Sequence, residues 1–300
     1  MPELKEKLID LKEAASLIND GTRLALGGFG IHNHPIAFVH ELIRKSVKDL
    51  VIVGHVNGIE VDMLVGAGCV QKVETSCVGL EEFGLAPCFR RAVELGELRV
   101  AEYSETIAFE RFMCSSRGQS FFPTRQLMGT DLPRYNTDIK EVVNPFDGFT
   151  YHAISPAEPE WVVIHAPMGD RYGNILFFDN RQLPSNLDLI MAQTTRNLIV
   201  TVEQIVERDR VFRLSHMNAV PRFRTTAIVE VPYGAHPSSC LQVYDCDKEH
   251  MKMYAEAARD IDGFNDYLGE YIYGVDNHTD YLKLIGIKNL MKLRFVGGSL

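Results

Sequence analysis

The sequence predicts an α/β protein built on an open, mostly parallel sheet flanked by helices. Three observations predict it. Short runs rich in Val, Ile and Leu alternate with helical stretches through the first 130 residues, as in a parallel sheet covered on both faces. A glycine turn, Gly27-Gly28-Phe29-Gly30, follows the first apolar run and opens a helix, which is the position where α/β sheets hold ligands. Strand-like runs then return after residue 160 with no repeat, low-complexity stretch or linker to cut the chain, so residues 1–300 read as one unit with a helical C-terminal extension over about 245–300.

Taken in order, a charged stretch of helical period over 3–19 leads into the strand Leu24-Ala25-Leu26. The helix expected over 35–44 follows the glycine turn; its Ile36, Val39 and Ile43 make one buried stripe, and Pro35 suits its first turn. A strand over 50–53, a helix over 62–67, a strand over 70–78, a helix over 87–95, a strand over 98–103 and a helix over 105–116 continue the alternation. The apolar Phe121-Phe122-Pro123 could extend the sheet, whereas 129–159 loses its period among turn residues and reads as a long connection. Strands return at 161–164, 198–202 and 226–231, with a turn over 169–174 and the segment 187–194 between them. After the loop 232–239 the remainder is amphipathic and helical, from about 249 to 293.

Composition narrows the functional classes. The chain has 300 residues, 46% of them hydrophobic and 24% charged, which suffices for a sizeable core. Lys and Arg number 31 against 40 Asp and Glu, a formal charge of −9; with no basic run, neither nucleic acid nor an anionic membrane is an expected partner. The N-terminus lacks the pattern of a signal peptide and no 18 apolar residues run together, so a cytoplasmic location is expected. Six cysteines without a C-x-x-C pair read as buried thiols, and the group His32, His34 and His40 has no Cys or acidic partner nearby. No metal site is expected.

The glycine turn fits neither phosphate motif. Read as G-x-G-x-x-G from Gly28, its last position is Asn33, and the second strand ends in Gly54-His55 instead of an acidic residue. The turn is equally a place for a ligand or for tight packing. Three loops could converge with it at strand carboxyl ends: Cys77-Val78-Gly79-Leu80-Glu81-Glu82, Tyr103-Ser104-Glu105 and Pro123-Thr124-Arg125. Glu105 at a helix start and Arg125 after an apolar run both have ordinary structural explanations. A carboxylate beside a fixed Arg would also make a general base and a site for developing negative charge.

The ordered set Leu26-Gly27-Gly28-Phe29 with Pro35, Gly96-Glu97-Leu98 through Glu102-Tyr103-Ser104, Phe122-Pro123-Thr124-Arg125, Asp170 with Gly173-Asn174, and Pro232-Tyr233-Gly234-Ala235-His236-Pro237-Ser238 resembles the A (alpha) subunits of family I coenzyme A transferases, the glutaconate type most of all. That resemblance spans essentially the whole chain. It implies a sheet of the coenzyme A transferase kind, related to ribose-5-phosphate isomerase, partnership with a homologous B (beta) subunit, and acyl-CoA and carboxylic acid substrates with no permanently bound cofactor. It also implies that the thioester is attacked by a glutamate of the B subunit, which then carries CoA as a glutamyl thioester. The B-type motif S-E-N-G is missing from this sequence. Glu81 then becomes a loop residue near the interface, and Gly27, Gly28, Phe29, Gly30, Gly79 and Glu81 are the substrate or CoA contacts the resemblance implies. Glu105 stands where glutaconate-type subunits carry Gln. A glutamate there, followed by Arg125, is similar to the A (alpha) subunit of a steroid ring-opening hydrolase of the same fold, in which Glu105 would be the base and Arg125 would stabilise an enolate or oxyanion. A third expectation is a subunit that binds acyl-CoA without catalysis.

Overall fold

The computed structural model describes residues 4–178 and 185–295; the beginning of the first expected helix, at residue 3, and the end of the C-terminal extension, 296–300, lie outside them. Seven strands run parallel in the order Arg99–Glu102, Val70–Thr75, Leu50–Val53, Arg23–Leu26, Trp161–Gly169, Leu198–Ile205, Ala227–Glu230. From Arg23–Leu26 the chain builds outward on one side as far as Glu102, then returns as Trp161–Gly169 on the other, with Leu24 opposite both Trp161 and Ile52. The strand order therefore reverses between Arg23–Leu26 and Trp161–Gly169, and the crevice at their carboxyl ends is where such sheets accept ligands.

Side chains alternate across the sheet and divide the core into two layers. Leu24, Leu26, Ile52, Val163, Ile199 and Val229 join one hydrophobic cluster, with the helices Ile36–Lys45 and Ile59–Gly66 over them. Ala25, Val53, Val162, Ile164, Val200 and Ile228 join the other, under Phe112 of helix Glu105–Ser116 and Met191 of helix Ser185–Met191. The C-terminal helices Lys248–Ala257 and Ile261–Leu268 add Met251, Tyr254 and Phe264 to the first cluster, so the helical extension helps to complete the core. Helices His278–Ile285 and Ile287–Leu293 follow. No described helix is long and apolar enough to cross a membrane.

Several expectations change. Helix over 3–19 is confined to Leu11–Ser16, because Lys7 and Ile9 exchange backbone hydrogen bonds with Ile228 and extend the sheet edge, and Asp10 caps the helix by accepting from Glu13 N at 2.7 Å. Strand 70–78 stops at Thr75: Ser76 turns aside to donate to the His55 carbonyl, and Cys77–Val78 pairs separately with Val56–Asn57. Residues 122–154 form no extension of the parallel sheet. Phe122–Thr124, Lys140–Val143 and Thr150–Ile154 make a separate antiparallel sheet, closed on Ile107, Leu127, Ile139 and Ile154.

Candidate active-site edge

The glycine turn lies at the crevice where the strand order reverses, and its backbone is committed to holding it there. Gly27 N donates to Val163 O across the reversal at 2.8 Å, Phe29 N to His32 O, and Gly30 N to Val56 O; Gly28 N donates to Asp188 Oδ1 at 2.8 Å. All four N–H groups of the turn are spent within the chain. The turn thus presents a fixed surface instead of free oxyanion donors. Gly28 and Gly30 sit at φ of 97° and 62°, conformations that glycine adopts without the Cβ penalty.

A buried histidine fixes the turn's carbonyls. His34 Nδ1 lies 3.0 Å from Gly27 O and 3.1 Å from Glu60 Oε2, and Nε2 lies 2.9 Å from Gly30 O. Both ring nitrogens face oxygens of the turn and of Glu60, which pins the ring between them. Glu60 Oε1 accepts from Asn57 Nδ2, and Asn57 Oδ1 from Thr75 Oγ1, which carries the polar contact on to the strand Val70–Thr75. From the other side the 232–239 loop braces the turn: Ser239 N donates to Ile31 O, Asn33 N to Ser239 O and Ala37 N to Gly234 O.

Glu203 anchors that loop by accepting from Tyr233 N, Gly234 N, the Tyr244 hydroxyl and the ring of His165. Ligand atoms of His165, Glu203 and Cys240 come within 4.8 Å of one another, as a metal site would need. The carboxylate of Glu203 is already engaged by four protein donors, so the group reads as a hydrogen-bonded brace.

Most of the expected site residues gather along this edge. Glu81 has a φ of 51°, uncommon for a residue with a side chain and a mark of functional loops. Its carboxylate packs on Gly30, where a Cβ would fall 2.2 Å from Glu81 Oε1. Gly79 N is tied to Asn57 O in the same loop. Glu105 is exposed at the start of helix Glu105–Ser116, behind the cap Ser104. Its charge acts on His55, whose buried ring lies between Phe29 at 5.6 Å and Phe109 at 6.0 Å.

Arg125 does not join them. It belongs to the antiparallel excursion, donates to the Tyr151 hydroxyl at 2.5 Å and lies 3.7 Å from Asp147; among the described residues it makes no ion pair with Glu105. Five cysteines are buried as expected, but Cys77 is exposed on this edge. Its thiol is pushed up by local burial and then by the carboxylates of Glu105, Glu81 and Glu60, which disfavours a thiolate nucleophile. The sequence alone does not single out Asp188, His34, Glu60 or His55 for this edge; His34 stands out there only within a weak histidine group.

The pattern defining the coenzyme A transferase family matches residues 8–230. A protein from Archaeoglobus fulgidus is 35% identical over 97% of this chain, which spans 65% of that relative's length. The A (alpha) chain of the 3-oxoadipate CoA-transferase from Pseudomonas knackmussii is 33% identical over 92% of this chain and 96% of its own. The crystal structure of glutaconate coenzyme A-transferase from Acidaminococcus fermentans superposes with a TM-score of 0.93, covering 97% of this chain and 96% of that one at 26% identity. A cholesterol ring-cleaving hydrolase subunit of Rhodococcus jostii is 24% identical over 92% of this chain and 95% of its own.

Proposed function

We propose, from the premise that this chain belongs to the coenzyme A transferase family, that it is the A (alpha) subunit of a heteromeric acyl-CoA:carboxylate CoA-transferase. The observation that carries the reading is the fixed turn Gly27–Gly30 at the reversal of strand order, with Glu81 packed on it, in a chain that matches a CoA-transferase structure along nearly its whole length. The turn, Phe29 and the Gly79–Glu81 loop offer shape and rigidity to one side of a thioester. The carboxylate that exchanges the acyl group for CoA belongs to a homologous B subunit. Attack of that carboxylate on the thioester gives an acyl anhydride and free CoA thiolate. The thiolate then attacks the glutamyl carbonyl, releasing the acyl group as its acid and leaving a glutamyl-CoA thioester for the acceptor acid to reverse the sequence. What this chain does is hold the reacting thioester against its rigid turn, which lowers the cost of alignment.

The test is CoA exchange between an acyl-CoA and a labelled carboxylic acid, measured for this chain alone and co-expressed with a B subunit. Exchange in the complex and none in the isolated chain is the expected result; turnover by the isolated chain overturns the assignment. The hydrolase reading keeps one supporting observation, the exposed Glu105 beside His55. It predicts water-dependent loss of a cyclic acyl-CoA, abolished by Glu105→Gln, with no transfer to added acid.

A further inference from the structure

The charges along this edge bear on which acyl groups it can take. Cys77, at the rim, feels the carboxylates of Glu105, Glu81 and Glu60. His55 feels that of Glu105, and burial lowers its pKa and favours the neutral ring. The cations around it are engaged elsewhere: Lys248 Nζ pairs with Glu82 at 2.7 Å, Lys72, which with Arg99 lies beside Val100 and Tyr135, pairs with Glu74 and Asp138, and Arg99 donates to Gln71.

Next to this rim, at Ser76 and Cys77, opens a cavity of about 460 Å³. Its body is apolar, walled by Phe89, Val93, Val100, Leu132 and Tyr135. The charged residues in its lining are Glu102 and Asp131, both acidic, and among the described residues no Lys, Arg or His lines it. A second carboxylate on an acyl group would enter this space with no cation among the described lining residues and with like charges around it, which is unfavourable in a partly desolvated site. An alkyl, alicyclic or aryl group would cover apolar wall instead, and the volume is that of an ordinary small-ligand site.

We infer that this site takes CoA thioesters whose acyl group is apolar and carries no second carboxylate, the acyl body lying in the cavity beside Cys77. The inference rests on the CoA-transferase reading and separates this chain's specificity from that named for its 3-oxoadipate and glutaconate relatives.

The experiment uses two thioesters, hexanoyl-CoA and glutaryl-CoA, with the chain co-expressed with a B subunit. Calorimetric binding and CoA exchange are both measured. Hexanoyl-CoA is expected to bind at least tenfold more tightly and to exchange at least 100-fold faster in kcat/KM. Val100→Arg, which places a cation in the wall, is expected to shift the ratio toward glutaryl-CoA by at least tenfold, and Glu102→Gln to shift it the same way by less. Because Val100 and Glu102 are exposed, circular dichroism of both variants should match the parent. Equal or tighter binding of glutaryl-CoA by the parent complex overturns the inference, as does an unchanged ratio in both folded variants. Selective binding of hexanoyl-CoA without exchange of either thioester overturns the transfer reading alone.

Discussion

Asp188 is buried beneath the glycine turn, with Oδ1 accepting the N–H of Gly28 at 2.8 Å while Oδ2 has no partner among the described residues. Burial raises its pKa to about 8, against the opposing pull of the Gly28 N–H. Between its usual carboxylate range and that value the folded chain keeps a proton that the unfolded chain releases. Its contribution to stability is therefore full at acid pH and is lost as pH rises from about 4 through about 8. Asp188→Asn keeps an acceptor for Gly28 and removes the titration. Chemical denaturation should find the variant gaining about 4 kcal/mol on the parent between pH 5 and pH 9; a constant difference across that range would refute the assignment of the proton.

Gly28 and Gly30 both need their glycine, for different reasons. A Cβ on Gly28 would meet the His32 carbonyl at 2.6 Å and His34 Nδ1 at 2.5 Å, backbone and a locked ring. On Gly30 it would meet only the end of the Glu81 side chain, which can swing away. Gly28→Ala should cost roughly 3 kcal/mol or prevent folding, and Gly30→Ala about 1 kcal/mol, mostly backbone strain. The milder variant is the informative one. With Glu81 displaced from the turn, CoA exchange by the assembled enzyme should fall at least tenfold while thermal melting shifts by only a few degrees.

Glu74 is the central charge of a buried network near the carboxyl end of strand Val70–Thr75. It receives Arg23 at 2.8 and 2.7 Å, Arg111 at 2.7 Å and Lys72 at 3.0 Å. Burial pushes its pKa up, but the hydrogen bonds and charges of Arg23 and Arg111 outweigh that and hold it well below the usual carboxylate range. Its stabilisation is present above about pH 4.5 and is lost as pH falls toward its folded value. Glu74→Ala strands the buried Arg111, so urea denaturation at pH 7 should show a loss of about 3–5 kcal/mol. A loss under 1 kcal/mol would mean that the two guanidinium groups find other acceptors, such as the carbonyls of Ala157 and Ser155 that they already touch.

How legible this is in the sequence follows the range of each interaction. The parallel strands are readable because Leu24-Ala25-Leu26 and its counterparts are short, apolar and buried on both faces, a local pattern. The N-terminal pairing around Ile9 reads as helix instead, since its helical period competes with a partner, Ile228, more than two hundred residues away. The antiparallel excursion escapes a sequence reading because Lys140–Val143 is mostly exposed, Thr150–Ile154 is only half-buried, and both lack the apolar runs of the main sheet. At the site, the glycine turn and Glu81 are visible as loop chemistry. Asp188 and His34 are not, because each acts on the turn from an element whose local sequence gives no sign of the contact.

His40 carries the last expectation. It is buried in helix Ile36–Lys45, its ring edge-on to Tyr281 at 5.0 Å, and neither nitrogen has a hydrogen-bond partner among the described residues. Burial pushes its pKa well below the usual imidazole range, and the groups that face it, Arg44, His278, His250 and His236, push the same way. His250, close by, is likewise lowered by burial, to about 3, with His236 adding to the shift and Asp247 opposing it. As pH falls from about 6.5 the unfolded chain takes up protons that the folded chain refuses, so stability declines by roughly 1 kcal/mol per pH unit for each such histidine. His40→Leu removes both an unpaired polar ring and one of those protons. Melting curves should place the variant above the parent at pH 5 by several degrees and closer to it at pH 8. A greater gain at pH 8 than at pH 5 would show that His40 is not held neutral by the fold.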